Sequence, residues 1–394
     1  GVQTCALPIL VPAFELPMAI RFNEALARGA QLALHQPELG PDDVAVLQYT
    51  GGTTGVSKGA VLLHRNLLAN VLQSEAWYQP VMQRVPANEQ LTSICALPLY
   101  HIFAFTVNMM LSMRTGGMNV LIPNPRDIPA VLKELSQHTF HSFPAVNTLF
   151  NALLNHPDVD RVDWSHLQVS VGGGMAVQAA VAQRWLDKTG CPICEGYGLS
   201  ETSPSASCNP TTSQAFTGTI GVPLPSTEMK IIDDEGRDVP TGEYGEIAIR
   251  GPQVMAGYWQ RPDETARVMS PDGWFRSGDI GVMDARGYFR IVDRKKDMIL
   301  VSGFNVYPNE VEDVVAQLPG VLECAVIGIP DEKSGEAVKL VVVRKDTQLS
   351  EETIREHCKT QLTGYKHPRV IEFRSDLPKT PVGKILRREL RTPS

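Results

Sequence analysis

The apolar and polar positions before residue 190 alternate between short strand patterns and longer helical patterns. Short β-branched runs predict buried strands at 44–48, 60–63, 93–97, 119–122 and 169–172. Apolar residues that recur on one face predict helices at 16–30, 65–77, 128–137, 148–154 and 177–188. Such alternation, with glycines at strand ends, indicates an α/β domain that binds ligands at the carboxyl edge of its sheet.

The pattern changes twice further along the chain. Between Gly221 and Tyr288, short strand patterns separated by turns predict a small antiparallel β subdomain. Beyond residue 298, a helix, two strands, a second helix and a third strand predict a smaller α+β domain. We therefore expect an N-terminal domain at 1–292, a hinge at 293–297 and a mobile C-terminal domain at 298–394. The five consecutive charges of the hinge, from Asp293 to Asp297, also fit a solvated turn.

Composition narrows the class of protein without identifying it. The chain has 394 residues and a net charge of −7, so it carries no extended basic character for nucleic acid. Its seven cysteines are scattered, which favours reduced thiols in the cytoplasm over a disulfide scaffold. Cys191 and Cys194 form a lone CxxC pair, and without a second pair they are better explained as structural residues than as zinc ligands.

One stretch is long and uncharged enough to cross a bilayer. Residues 91–113 contain no Asp, Glu, Lys or Arg, but Pro98 interrupts them after an apolar run. We interpret the stretch as a strand, a turn and a buried helix. No basic amphipathic helix demonstrates attachment to a membrane surface, so peripheral association stays open. The first nine residues lack a signal-peptide pattern, and we expect the chain to begin inside a longer protein.

The stretch from Tyr49 to Ala60 has the composition of a phosphate-binding loop. Glycines allow close backbone approach, while hydroxyl groups and one lysine supply donors and positive charge. The Walker pattern fails because Ser57 precedes Lys58 and strands flank the loop. A flexible surface hairpin is the alternative. The candidate phosphate ligands are Thr50, Gly51, Gly52, Thr53, Thr54, Gly55, Ser57 and Lys58.

Other candidate groups lie further along the chain. The segment 195–202 combines an aromatic ring, a hydroxyl and the Glu201 carboxylate, a set that could stack a base, bond a phosphate and hold Mg²⁺. Asp279 lies between a glycine and an apolar residue, where it could accept ribose hydroxyls. His101 follows a strand among aromatic residues and could equally be a core histidine.

The C-terminal segment presents a lysine on a glycine-containing turn. Lys384 precedes a short basic helix in which we expect Arg387 and Arg388 to be surface charges. In the predicted helix at 308–317, Asn309 and Glu312 form a candidate cap pair.

Five motifs in order resemble those of the adenylate-forming superfamily, which comprises acyl-CoA synthetases, peptide-synthetase adenylation domains and luciferases. They are the loop at 49–60, the glycine turn at 172–175, the segment 196–201, Ser277-Gly-Asp279, and 293–297 with Lys384 downstream. Within the superfamily, the stretches 124–129, 291–308 and 361–366 look like those of bacterial long-chain fatty acid–CoA ligases. The resemblance covers roughly residues 10–390.

The resemblance implies two half-reactions. A carboxylate attacks the α-phosphate of ATP to give acyl-AMP and pyrophosphate, and the CoA thiol then displaces AMP. The expected substrates are a fatty acid, ATP and CoA, with Mg²⁺ as the metal. The resemblance says nothing of the oligomeric state.

The same resemblance implies roles for individual residues. The loop 50–58 would hold the β- and γ-phosphates, and Thr50 with Glu201 would hold Mg²⁺. Lys384 would serve the first step only, Lys296 would be the hinge, and His101 would gate the acyl entrance. The other expected roles are adenine binding at Gly173, Gly174, Tyr197 and Gly198, ribose binding at Asp279 and Arg294, a hydroxyl at Ser200 in the catalytic segment, and a pantetheine path at Gly303.

The chain departs from the family pattern in three places. Ser200 stands where threonine is usual and keeps the hydroxyl, while Ala176 replaces a common proline. Most of the family's N-terminal part is missing, so we expect a truncated chain. The alternatives are a ligase for another carboxylate, such as a medium-chain or aryl acid, and a non-catalytic fragment that binds nucleotide or acyl chains. A peptide-synthetase module is less favoured because no carrier domain follows Lys384.

Overall fold

Helices and strands alternate through the chain, as a computed structural model shows for residues 17–50, 57–380 and 383–391. The α-helices there are α1 (Phe22–Gly29), α2 (His64–Met82), α3 (Leu111–Thr115), α4 (Ile128–Leu135), α5 (Asn147–Leu154), α6 (Ala179–Thr189), α7 (Pro262–Val268), α8 (Pro308–Val315), α9 (Glu351–Gln361) and α10 (Arg387–Arg391). A π-helix spans Ala104–Met110, and short 3₁₀ helices span Pro157–Arg161, Ser200–Thr202 and Gly364–Lys366.

The strands of the described residues fall into four sheets. They are β1 (Val44–Thr50), β2 (Lys58–Leu63), β3 (Thr92–Cys95), β4 (Met118–Leu121), β5 (Ser142–Ala145), β6 (Val169–Gly172), β7 (Ile193–Gly198), β8 (Ser205–Cys208), β9 (Val222–Pro223), β10 (Glu228–Ile232), β11 (Gly245–Arg250), β12 (Gly257–Tyr258), β13 (Phe275–Met283), β14 (Phe289–Arg294), β15 (Ile299–Val301), β16 (Phe304–Val306), β17 (Val321–Asp331), β18 (Gly335–Arg344) and β19 (Val370–Arg374).

The chain divides into two units, Gly1–Gly40 and Pro41–Ser394. In the described part of the first unit, α1 exposes all its residues, and Arg28 pairs with Glu24 at 2.5 Å across one helical turn. An exposed pair of this kind stabilises a helix by roughly 0.3–0.5 kcal/mol. The helix predicted at 16–30 is confirmed from Phe22 to Gly29, while residues 17–21 are described and not helical.

The second unit is built around a sheet of seven strands in the order β4-β3-β5-β6-β7-β8-β9. The strands from β4 to β7 are parallel, and β8 and β9 are antiparallel to their neighbours. The Phe150 ring packs edge to face against Phe143 and Trp185 beside this sheet, with centroid distances of 5.7 and 4.7 Å. The predicted α/β core is therefore confirmed, and the carboxyl ends of its parallel strands share one edge.

Two smaller sheets match the changes of pattern along the sequence. The antiparallel sheet β10-β11-β13-β14 is the predicted β subdomain. A five-stranded sheet, β16-β15-β18-β17 with β19 beside β18, packs with α8 and α9 to form the predicted α+β region. The domain boundary at 293–297 stays a prediction, because residues 41–394 form one unit.

The uncharged stretch at 91–113 adopts the predicted strand, turn and helix. Strand β3 is fully buried, and the helical part begins as a π-helix and continues as α3. No helix of the residues that the structure describes has both the length and the apolar character needed to cross a bilayer.

Candidate active site

A cavity of about 1480 Å³ opens at the carboxyl edge of the parallel strands and extends to the C-terminal region. This volume exceeds the roughly 300–1,000 Å³ of most small-molecule pockets. Most of the described candidate site residues line it, and Ser57 and Gly303 do not. The lining candidates are Thr50, Lys58, His101, Gly173, Gly174, Tyr197, Gly198, Ser200, Glu201, Asp279, Arg294, Lys296 and Lys384.

The phosphate-loop candidate joins two antiparallel strands, as predicted. Thr50 of β1 lies opposite Lys58 of β2, and the Thr50 hydroxyl donates to the Lys58 carbonyl at 3.4 Å. Ser57 is exposed beside them. Lys58 forms an ion pair with Glu264 and lies 5.1 Å from the centre of the Tyr258 ring. Gly51, Gly52, Thr53, Thr54 and Gly55 lie outside the described residues.

The glycines at the strand ends are required for two different reasons. Gly174 follows β6 with a φ of +76°, a conformation that favours glycine. A Cβ on Gly173 would lie 3.0 Å from the Phe103 ring, so this backbone is packed closely at the cavity wall. A Cβ on Gly198 would come within 1.9 Å of the Pro204 carbonyl oxygen. Gly198 is thus explained by backbone packing, and its predicted ligand contact stays a prediction.

Tyr197, Asp279 and Arg294 form one group that is joined by a hydrogen bond and an ion pair. The Tyr197 hydroxyl donates to Asp279 Oδ2 at 2.7 Å, and Arg294 Nε lies 3.5 Å from Oδ1. Strand register explains the meeting, because Asp279 of β13 lies directly opposite Arg294 of β14. Burial, and then the Asp279 charge, raises the pKa of Tyr197. The phenol therefore stays protonated and fixes the orientation of the carboxylate.

Glu201 is buried and hydrogen-bonded to a residue that the sequence did not single out. The Tyr258 hydroxyl donates to Glu201 Oε1 at 2.7 Å. Burial, followed by the charge of Glu201, raises the pKa of Tyr258. Tyr258 reaches this place because β12 pairs with β2, the strand that follows the phosphate loop. A short 3₁₀ helix that begins at Ser200 presents Glu201 to the cavity.

Lys384 enters the same cavity from the C-terminal region. Its backbone closes a tight turn, in which the Thr380 amide donates to the Lys384 carbonyl at 2.8 Å and the Lys384 amide donates to Thr380 Oγ1 at 3.1 Å. Burial, with the charge of Arg294 as the next cause, lowers the pKa of Lys384 to about 7. An anion bound in the cavity would favour the protonated form again.

His101 lies close enough to Lys384 for their charges to interact. Burial, and then the Lys384 charge, lowers the pKa of the His101 imidazole. The Phe103 amide donates to His101 Nδ1 at 3.3 Å, so the neutral ring carries its proton on Nε2. His101 therefore lines the cavity and does not belong to the apolar core.

The expectation that Arg387 is a surface charge is wrong. Its guanidinium contacts both Glu312 oxygens at 2.8 and 2.9 Å, Asn309 Oδ1 at 2.7 Å and, more distantly, Asp293 at 3.6 Å. Arg388, the next residue, is 55% exposed, as expected for a surface charge. The sequence could not show this pairing because 75 residues separate Arg387 from Glu312.

The predicted cap pair of α8 is also wrong. The Asn309 side-chain Nδ2 donates to the Val292 carbonyl at 3.3 Å, and Glu312 Oε1 accepts from the Val326 amide at 2.7 Å. These two side chains therefore connect α8 to β14 and β17 and do not cap the helix. Burial raises the pKa of Asp293 to about 6, although the Arg387 charge opposes the shift.

The hinge and pantetheine candidates lie in turns outside the sheets. Lys296 belongs to the turn after β14, in which the Asp297 amide donates to the Arg294 carbonyl at 3.0 Å. Gly303 lies in the exposed turn between β15 and β16 with a φ of +84°. In this arrangement Lys384 reaches the cavity and Gly303 does not.

Two features of the cavity wall were missed by the sequence analysis. Glu195 lies inside β7, where its Oε1 accepts from the Val177 amide at 3.0 Å and burial raises its pKa to about 8. The cavity lining also includes largely apolar side chains of α2, the π-helix, β8 and the segments that follow β8. They are Trp77, Tyr78, Val107, Cys208, Phe216 and Leu224. A helical apolar pattern alone could not separate such wall residues from core residues.

A cluster of three ionisable side chains lies away from this cavity. Glu89, His141 and His166 bring their ligand atoms within 4.8 Å of one another. The Thr92 amide donates to His141 Nδ1 at 3.1 Å, which leaves the proton on Nε2, directed at Glu89 Oε2 at 2.9 Å. A metal would need a lone pair on that nitrogen, so the hydrogen bonds favour a proton there and not an ion.

The fold and this arrangement of side chains define an adenylate-forming enzyme. The chain belongs to the AMP-binding enzyme family, whose model matches residues 9–259, and the model of the C-terminal domain of these enzymes matches residues 310–384.

Among its relatives is a long-chain-fatty-acid–CoA ligase of Escherichia coli O6:H1, which is 56% identical over 382 residues. That match covers 97% of this chain and 67% of the relative.

Solved structures of the same fold include ligand complexes. The ATP-bound MatB of Rhodopseudomonas palustris has a TM-score of 0.84 at 33% identity. The match covers 93% of this chain and 72% of the MatB chain. The anthranilate CoA ligase AuaEII in complex with anthranoyl-AMP has a TM-score of 0.82 at 31% identity. The match covers 91% of this chain and 69% of the AuaEII chain.

Proposed function

We propose that the chain catalyses ATP-dependent ligation of a long-chain fatty acid to CoA through an acyl-AMP intermediate. The observation that carries the proposal is a single cavity whose lining combines apolar side chains with a cluster of polar groups that suit a nucleotide. The 56% identity to a long-chain-fatty-acid–CoA ligase supports the choice of acid. An apolar acyl chain gains free energy when it leaves water, at roughly 0.8 kcal/mol per buried CH₂ group.

The polar groups fit the parts of ATP. Asp279 is held in place by Tyr197 and Arg294, so its carboxylate is preorganised to accept two ribose hydroxyls. The Tyr197 ring and the backbone at Gly173 and Gly174 would form the adenine site. The hairpin that contains Thr50 and Lys58 would hold the β- and γ-phosphates.

The oxygen donors present also fit Mg²⁺. Glu201 supplies a buried carboxylate whose one oxygen is already oriented by Tyr258, and Thr50 supplies a hydroxyl. We propose that these two residues hold the ion, which would neutralise phosphate charge when bound.

The first half-reaction concentrates negative charge at the α-phosphate. Lys384 would meet this charge and the incoming carboxylate, and phosphate anions would restore the proton that burial disfavours. His101, with its proton on Nε2, would donate a hydrogen bond at the acyl entrance. Ser200 would offer its hydroxyl beside Glu201.

The second half-reaction needs a different arrangement. Lys384 lines the cavity here while Gly303 lies in an exposed turn, which supports the assignment of this arrangement to the adenylation step. We propose that the region from residue 298 rotates at Lys296, which withdraws Lys384 and brings Gly303 to the pantetheine path. We also propose a cytoplasmic location with peripheral attachment to the membrane, where long-chain acids partition.

Pyrophosphate release by the full chain tests the proposal. The assay contains ATP, Mg²⁺ and acids of graded chain length, together with an aryl acid, with and without CoA. Release that peaks with long chains and rises with CoA is the expected result. A peak with the aryl acid would favour the alternative ligase, for which the AuaEII complex is the structural precedent. Nucleotide binding without release from any acid would favour a non-catalytic fragment.

A further inference from the structure

The ion pair between Lys58 and Glu264 has no part in the roles described so far. Glu264 lies on α7, 206 residues beyond Lys58 in sequence. The Glu264 side chain is 17% exposed and the Lys58 side chain is 30% exposed, so the pair is partly shielded from water. The Tyr258 ring lies against the same ammonium group at 5.1 Å. The cation of the phosphate-loop candidate is therefore already neutralised by the protein.

Glu264 has a second cationic partner one helical turn away. Arg267 Nη1 donates to Glu264 Oε1 at 2.7 Å, while Lys58 pairs with Oε2. The Arg267 side chain is 70% exposed and does not line the cavity. The Lys58 bond, aided by Arg267, holds the pKa of Glu264 below its usual range, so the carboxylate is ionised at neutral pH. If Lys58 leaves for another anion, Arg267 still holds Glu264 in place.

We propose that Glu264 is a built-in counter-ion that competes with the β- and γ-phosphates of ATP for Lys58. The inference rests on the proposed function, which assigns those phosphates to the hairpin of residues 50–58. ATP and pyrophosphate must displace Glu264 or share Lys58 with it. AMP lacks both outer phosphates, so its binding affinity should not depend on this competition.

The competition favours the forward reaction. After adenylation, pyrophosphate must leave while acyl-AMP stays bound. When the Glu264 carboxylate pairs with Lys58 again, it speeds the dissociation of pyrophosphate but not that of acyl-AMP. The cost is a weaker affinity for ATP. The expected loss of ATP affinity is up to about fivefold, as for a charged pair that water partly screens.

Isothermal titration calorimetry of the full chain with Mg²⁺-ATP, Mg²⁺-pyrophosphate and AMP tests the inference. Glu264→Gln should bind ATP and pyrophosphate about two- to fivefold more tightly than the wild type, with unchanged affinity for AMP. Arg267→Gln should act in the opposite direction, because Glu264 then keeps Lys58 as its remaining partner. Glu75→Gln is the matched control, since it removes the carboxylate of an exposed pair with Arg114 and changes the net charge equally.

The outcomes separate this inference from the proposed function. Wild-type protein that binds neither ATP nor AMP would overturn both. Binding of both nucleotides by the wild type, with the same ATP and pyrophosphate affinities in Glu264→Gln, would overturn the counter-ion alone. A parallel change in AMP affinity would also overturn it, because AMP does not reach Lys58. If thermal melting shows that Glu264→Gln does not fold, the exposed Arg267→Gln variant decides the question by its sign.

Discussion

At the scale of single residues, the charge of Lys384 depends on what else occupies the cavity. Burial and the nearby Arg294 lower its pKa to about 7, while Asp279 favours the charged form. Without an anion, the ammonium form is lost as the pH rises through that value. ATP would bring several negative charges and shift the pKa upward. Substrate binding would thus create the charge that the first half-reaction uses.

Substitution of Lys384 should separate the two half-reactions. Lys384→Ala removes the only cation assigned to the α-phosphate, so pyrophosphate release should fall by at least about 100-fold, as for loss of a preorganised group. Formation of acyl-CoA from supplied acyl-AMP should stay near the wild-type rate. The exposed Lys333 provides the control variant, Lys333→Ala. Equal losses in both steps would contradict the assigned role.

Glu195 should make stability depend on pH. Its folded-state pKa is about 8, above its ordinary value of 4.5. The folded chain keeps this proton while the unfolded chain releases it, so stability falls as the pH rises from about 4.5 to about 8. Glu195→Gln keeps an acceptor for the Val177 amide and removes the titration. It should be more stable than the wild type by at least about 1 kcal/mol at pH 8.5, and nearly equal at pH 4.

Urea unfolding at the two pH values measures this effect. Glu332→Gln, at an exposed position, is the control and should leave the pH dependence unchanged. A Glu195→Gln variant whose stability follows that of the wild type at both pH values would show that burial does not keep the proton on Glu195.

At the scale of elements, periodic patterns predicted most strands and helices of the core, and failed where periodicity is absent. Strand β5 was not predicted, since all four of its residues are buried and Pro144 stands among them. Strand β7 was not predicted, because two glycines interrupt its apolar pattern. Conversely, α2 was expected to end at 77 but continues to Met82 through Pro80 in its last turn.

Local patterns also cannot show pairs that form between distant elements. The segment after Lys384 looked like a basic surface helix, but Arg387 faces Glu312 of α8 and Asp293 of β14. The two carboxylates have side-chain exposures of 12% and 1%, and both form an ion pair with this guanidinium. The pair fixes the position of the segment that carries Lys384.

Removal of Arg387 should therefore destabilise the C-terminal region. Arg387→Ala leaves buried carboxylates without a counter-ion, a loss that typically costs about 3–5 kcal/mol. Arg388→Ala is a matched control on the adjacent, exposed residue and should change stability by less than about 0.5 kcal/mol. Urea unfolding of both variants makes the comparison, and similar midpoints for the two would refute the buried pair.

At the scale of the whole molecule, the sequence predicted which groups belong to the site but not the arrangement that brings them together. The order of motifs implied Asp279, Glu201 and Lys384, and the cavity contains all three. Their meeting depends on contacts between segments far apart in sequence. The Thr148 hydroxyl donates to the Gly383 carbonyl at 3.2 Å, and Arg126 donates to the Thr380 carbonyl at 3.1 Å. No periodicity encodes such contacts.

Asn151 offers a test of how this arrangement serves the two half-reactions. It lies 7% exposed on α5, and its Nδ2 donates to the Leu322 carbonyl of β17 at 2.8 Å. The bond holds the C-terminal region in the position that brings Lys384 into the cavity. Asn151→Ala should weaken that position by about 1 kcal/mol, and slow adenylation about fivefold.

The second half-reaction should respond differently, because the rotation that we propose takes the C-terminal region out of this position. Thioester formation from supplied acyl-AMP should be unchanged or faster in Asn151→Ala. Gln183→Ala, which removes an exposed bond to Asp187 within α6, is the control for a general loss of stability. If Asn151→Ala slows both half-reactions equally, the Asn151–Leu322 bond supports the fold alone, and the proposed movement at Lys296 must be controlled by other contacts.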